Sequence, residues 1–116
     1  MSQRSNQVGE ELRKIISKIF IEDLSDPRLG FVTITRVEVT PDLRYAKVLY
    51  SVLGDPAQKK STAEAILDHA GYLKRLAVER INMKFAMDFK FELDTSIEES
   101  FRLGEIFKKI HKEKKD

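Results

Sequence analysis

Between Phe85 and Asp94 apolar and polar residues alternate without interruption. Phe85, Met87, Phe89, Phe91 and Leu93 fall on one parity, and Ala86, Asp88, Lys90, Glu92 and Asp94 on the other. A period of two is that of an extended strand whose side chains point alternately to two faces. The sheet that contains it therefore has one covered face and one wet face. The rest of the chain must supply amphipathic segments to cover that single face. With 116 residues, of which 41% are hydrophobic, it has the length of one domain and enough apolar material for one modest core.

The covering segments are legible. Val8, Leu12, Ile15, Ile16, Ile19 and Phe20 recur at the spacing of a core-facing helix stripe. Ser25-Asp26-Pro27 ends that helix, because proline removes a donor and pushes its predecessor out of the α region. Arg28-Leu29-Gly30 leads into a strand over Phe31–Val39, dense in β-branched residues. Within it Val32 and Ile34 lie on one parity and Val37 and Val39 on the other, which a bulge near Arg36 would reconcile. Thr40-Pro41-Asp42-Leu43 forms a turn. Tyr45–Leu53 is the next strand, with Ala46, Val48, Tyr50 and Val52 on one face, and the short connection makes the two an antiparallel hairpin.

Gly54-Asp55-Pro56 leads to a second helical region with two candidate starts. Asp55-Pro56 can serve as cap and first position, and Ser61-Thr62-Ala63-Glu64 has the form of a capping box. Ile66, Ala70, Leu73 and Ala77 hold its apolar face. Gly71 interrupts this run at a position where glycine costs about 1 kcal/mol relative to alanine. Ser96-Ile97-Glu98-Glu99 is a further capping box, opening a C-terminal helix through Ile97, Phe101, Ile106 and Ile110. Residues 111–116 lack apolar anchors and are expected to fray. The order is α-β-β-α-(Gly)-α-β-α, a single α+β domain over residues 1–116 with a three-stranded sheet covered by helices on one face.

The side chains that catalysis needs do not converge in this sequence. There is no cysteine, which removes thiol nucleophiles, zinc-thiolate sites and disulfides and fits a cytoplasmic location. His69 and His111 have no metal-ligand spacing, and His69 beside Asp68 reads as a polar helix position. No serine sits in a nucleophile motif, and no glycine-rich phosphate loop exists. Asp23 and Asp26 read as turn chemistry. No apolar run approaches the length of a membrane span, and the polar Met1–Gln7 stretch does not read as a signal peptide. The expectation is a protein that is not an enzyme and uses no cofactor, metal or small-molecule substrate.

Nucleic-acid binding has better support. The net charge is only +2, but Tyr72–Phe91 holds Lys74, Arg75, Arg80, Lys84 and Lys90 against Glu79 and Asp88. Taken alone, that excess favours a solvated helix face over a phosphate-contacting one. The helix–Gly71–helix layout adds to it. In KH domains the RNA backbone is clamped where two helices meet at a glycine-containing connection. Amides after Gly71 would face phosphate, and Lys74, Arg75, Arg80 and Lys84 would release counterions. The alternative, that Gly71 merely lets the helix kink over the sheet, stands beside it.

Four motifs extend the comparison. Asp26-Pro27-Arg28-Leu29-Gly30, Asp42-Leu43 with Tyr45-Ala46-Lys47-Val48, Ala70-Gly71-Tyr72-Leu73-Lys74-Arg75, and Asp94-Thr95-Ser96 with Glu99 and Arg102 occur in register along nearly the whole chain. In these the chain resembles the bacterial ribosome-binding factor A family. The resemblance implies a type-II KH-like fold in which an Ala-x-Gly kink replaces the usual GxxG loop. It also implies a monomeric, non-enzymatic assembly factor that binds the small ribosomal subunit (30S) and its 16S rRNA. Such a factor assists late maturation and 5′-end processing, and family members are associated with growth in the cold. The RNA-binding residues it implies are His69, Ala70, Gly71, Tyr72, Lys74, Arg75, Arg80 and Lys84. Two departures stand out: the first kink position, alanine in the family, is His69, and a proline often found before the last core strand is absent from Phe85-Ala86-Met87-Asp88-Phe89. The competing reading is a KH-like protein-interaction module independent of RNA.

Overall fold

The computed structural model describes residues 3–82, 87–96, 102–106 and 108–109. Helix α1 (Gln3–Glu22) is followed by strands β1 (Phe31–Val39) and β2 (Tyr45–Leu53), helix α2 (Pro56–Ile81) and strand β3 (Asp88–Leu93). The sheet order is β1-β2-β3. β1 and β2 form the expected antiparallel hairpin. β3 lies parallel to β2, from Tyr45 opposite Asp88 to Tyr50 opposite Leu93. Parallel neighbours need a long crossover, and α2 provides it. Together with the covering helices this is the α+β, KH-like architecture that the sequence implies.

The parity conflict in β1 is resolved as expected. Ile34 pairs with Tyr50 and Arg36 with Leu49, so the register slips by one residue at Thr35. The bulge turns Ile34, Val37 and Val39 all into the core, where they meet Leu12, Ile16 and Ile19 of α1. Ala46, Val48, Tyr50 and Val52 of β2 join them, with Ile66, Leu73 and Ala77 of α2. In β3 the alternation holds in part. Met87 is buried and Phe89, Phe91 and Leu93 are half-buried, while Asp88 and Lys90 are exposed. The strand begins at Asp88 rather than Phe85; residues 85 and 86 lie outside the described ones. On the opposite face of the sheet, Leu49 is also buried, flanked in register by Arg36 and Glu92.

Two expectations change form. Helix α2 begins at Pro56 because the Asp55 carboxylate accepts the Gln58 N–H at 2.8 Å and Pro56 is pre-set for the first turn. Ser61-Thr62-Ala63-Glu64 is therefore helix interior, not a capping box. The hydroxyl of the fully buried Thr62 instead donates to the Leu29 carbonyl at 2.7 Å. The second change concerns Gly71. α2 runs unbroken from Pro56 to Ile81, so the expected junction of two helices is a position inside one helical element. Asn82, in the left-handed region at φ 57°, ends it.

Gly9 carries no signal in the local sequence pattern. A Cβ there would collide with the Val37 carbonyl oxygen, so α1 lies directly on the backbone of β1. In the hairpin turn the Leu43 N–H donates to the Thr40 carbonyl at 2.8 Å. Leu43 sits at φ 61° and is nonetheless buried. Residues 102–106 and 108–109 are helical. The capping box after Ser96 and the tail at 111–116 lie outside the described residues.

Candidate nucleic-acid interface

α2, 26 residues long, carries seven of the eight candidate residues. Leu73 and Ala77 point into the core, which leaves the neighbouring positions to two flanks. At about 3.6 residues per turn, Gly71, Lys74, Arg75 and Val78 share one flank. Together with Glu79 they line a shallow hollow of about 300 Å³. His69 and Arg80 are separated by about three turns and share the other flank. Ala70 is half-buried. Lys84 lies outside the described residues.

The floor of the hollow is set by Gly71. An added Cβ there would meet no atom within 4 Å among the described residues, so no packing partner among them requires glycine. The missing side chain leaves helix backbone open to approach from outside. Beside it the Arg75 guanidinium lies 5.4 Å from the centre of the Tyr72 ring, within the range of a cation–π contact. Arg75 is exposed and has no carboxylate partner among the described residues. Lys74 does have one: its Nζ lies 2.8 Å from Oδ1 of Asp88.

The other flank is tied to the segment after α1. Arg80 Nη2 meets Asp23 Oδ2 at 2.9 Å, and His69 Nε2 lies 3.0 Å from Asp26 Oδ2. Asp26 also receives the Arg28 side chain at 2.8 Å and the Arg28 backbone N–H at 3.0 Å. Arg28 reaches on to Asp68 of α2 at 2.9 Å. The Arg28 guanidinium, then its backbone N–H, then His69 hold the Asp26 carboxyl well below the usual carboxylate range. The bonds to Asp26 and then Asp68 raise the Arg28 guanidinium in turn. The Arg28 carbonyl accepts from Gln58 Nε2 at 3.2 Å, and Gly30, at φ 62°, lets the chain turn beside Gln58. The Asp-Pro-Arg-Leu-Gly motif is thus a clamp on α2.

The eight candidates therefore do not form one cluster. The structure brings Gly71, Lys74 and Arg75 together, with Tyr72 stacked on the last. It sends His69 and Arg80 to aspartates across the helix. The roles of Asp23, Asp26 and Asp88 depend on tertiary contacts between residues far apart in the chain, and local spacing carries no trace of them. On the outward sheet face, Glu92 accepts from Lys47 at 3.3 Å and from Lys90 at 3.2 Å, while Arg36 pairs with Glu38 at 3.0 Å. No group of three or more His, Cys, Asp or Glu capable of holding a metal occurs among the described residues. No helix among them is long and apolar enough to cross a membrane.

The family model for ribosome-binding factor A matches residues 4–107. The chain belongs to the ribosome-binding factor A family. The Caldanaerobacter subterraneus member is 43% identical over 117 residues, covering 100% of this chain and 96% of its own. The Halothermothrix orenii member is 40% identical over 111 residues, covering 96% and 91%. Among solved structures, a Thermotoga maritima protein described as a ribosome-binding factor A candidate superposes with a TM-score of 0.69 at 31% identity, over 79% of this chain and 88% of its own. A homology model of the Thermus thermophilus ribosome-binding factor A, fitted into the cryo-EM map of a 30S complex, gives a TM-score of 0.62 at 18% identity, over 75% and 91%. The second likeness shows the shared fold.

Proposed function

We propose that this protein is a non-enzymatic assembly factor that binds the small ribosomal subunit and its 16S rRNA, assisting late maturation and 5′-end processing. The observation that carries this reading is family membership along nearly the whole chain. A relative of the same fold, described in its complex with the 30S subunit, supports it. On this reading the protein acts in the cytoplasm as a monomeric single domain, without cofactor, membrane attachment or small-molecule substrate.

The RNA-binding surface proposed is the flank of α2 around Gly71. Its open backbone admits a close-lying ribose-phosphate chain, Tyr72 and Arg75 offer faces on which an unpaired base stacks, and Lys74 and Arg75 supply charge. Lys84 extends the same basic stretch in sequence. His69 and Arg80 act from the other flank, holding α2 in place while presenting their exposed edges to the RNA, and Ala70, one turn before Lys74, keeps the surface beside Gly71 small.

Co-sedimentation with immature small subunits across a salt series tests the function. Association should weaken steeply as salt rises, because phosphate contacts release counterions. Complete RNA digestion should release the protein. A complex that survives digestion would favour an interaction module that needs no RNA.

A further inference from the structure

Of the two cations in the hollow, Lys74 already has an anion, and Arg75 has none among the described residues. The anion is Asp88, the first residue of β3. Its backbone is fixed where it stands: the Asp88 N–H donates to the Arg44 carbonyl at 2.9 Å, and its Cα pairs with Tyr45. The carboxylate therefore leans from the sheet edge onto the helix flank, with Oδ1 2.8 Å from the Lys74 ammonium. Both side chains reach water, Asp88 at 69% and Lys74 at 40% exposure.

An ion pair this open is screened by salt and contributes little to folding, so its partners exchange at low cost. A carboxylate oxygen on an ammonium also occupies the place that a phosphate oxygen takes.

We infer that Asp88 is a specificity-determining residue of this interface: its carboxylate occupies Lys74 in place of phosphate, and RNA engages that lysine only by displacing it. The inference rests on the reading that the Gly71 flank of α2 meets RNA. Its consequence is discrimination between charge and shape. Binding driven by charge alone finds one cation neutralised and a carboxylate beside it, and such binding makes up essentially all non-specific association. An RNA that also approaches Gly71 and stacks on Tyr72 and Arg75 gains enough contact to displace the carboxylate.

The test compares wild type, Asp88→Asn, Lys74→Gln and the double variant in the intact protein. Two probes are used: a short oligouridine, and immature small subunits. Asp88→Asn should bind oligouridine about two- to fivefold tighter and gain less on subunits, so that the preference for subunits narrows. The salt slope on oligouridine should steepen by about 0.7, the increment for one added phosphate contact on a single strand. The gain should vanish when Lys74→Gln is added. Circular dichroism and thermal melting show whether each variant remains folded.

A folded Asp88→Asn with unchanged or weaker oligouridine binding and an unchanged slope overturns the inference. A purely structural tie between β3 and α2 predicts that pattern, together with a lower melting temperature. If Lys74→Gln weakens subunit binding while Asp88→Asn gains nothing, the inference falls and the RNA-binding reading stands. If wild type binds neither probe, both fall.

Discussion

Thr35 and Asp94 stand 59 positions apart in the chain and share a hydrogen bond of 2.6 Å. Thr35 is the extra residue of the β1 bulge, and its hydroxyl donates across the sheet to the carboxylate at the end of β3. Oδ1 of the same carboxylate accepts the Ser96 N–H at 3.0 Å, and the Asp94 N–H donates to the Tyr50 carbonyl. One aspartate thereby joins all three strands and sets the exit from the last.

That arrangement predicts a pH dependence. The Thr35 hydroxyl first, and Ser96 after it, draw the Asp94 carboxyl down to about 2, against about 3.9 in an unfolded chain. A depressed folded value means that the stabilisation is fully present above about pH 4 and is lost as pH falls toward 2. Melting temperatures of the wild type should fall across that window, and those of Asp94→Asn should fall less. Carboxyl NMR shifts titrating near pH 4 for Asp94 would contradict the assignment.

Two glycines predict opposite signs for the same substitution. Alanine is the better helix former by about 1 kcal/mol, and both residues lie inside helices. Gly9→Ala should nonetheless destabilise the fold by about 1–3 kcal/mol, because the new methyl collides with the Val37 backbone. Gly71→Ala meets open space and should stabilise by up to about 1 kcal/mol. Urea denaturation of the pair measures both. The stabilised Gly71→Ala should also bind small subunits less well, since the added methyl stands where the RNA backbone approaches.

Thr62→Val keeps shape and removes one hydroxyl. The Leu29 carbonyl then loses its 2.7 Å donor at a buried site, and a buried acceptor without its partner costs about 1–3 kcal/mol. Equilibrium unfolding should show that loss with an unchanged denaturant slope. A loss below about 0.5 kcal/mol would mean that the hydroxyl does not anchor the Asp26–Gly30 clamp to α2.

The elements that the sequence discloses are those governed by local period. The α1 stripe, the hairpin, the bulge (expected near Arg36 and found at Thr35) and the part of the β3 alternation that holds all follow from side-chain spacing over a few residues. The start of α2 needed a choice between two caps, and Asp55 prevails because proline follows it directly. Gly71 is visible as an anomaly in a helix, but whether the helix breaks there depends on packing along its whole length. The division of the candidate residues into two flanks follows from α2 being continuous. The aspartates that hold Lys74, His69 and Arg80 come from other elements, at separations of 14, 43 and 57 residues. Pairings of that range are set by the completed fold and leave no local pattern.

The most direct test of the proposed interface is charge reversal on the flank that contains Gly71. Lys74→Glu/Arg75→Glu should keep its circular dichroism spectrum and melt within a few degrees of wild type, because both side chains are substantially exposed and surface pairs contribute at most about 1 kcal/mol. Its co-sedimentation with immature small subunits at physiological salt should fall more than tenfold, in line with about 1.4 kcal/mol for each decade of affinity. A folded double variant that co-sediments as well as wild type would contradict the assignment of this flank to rRNA.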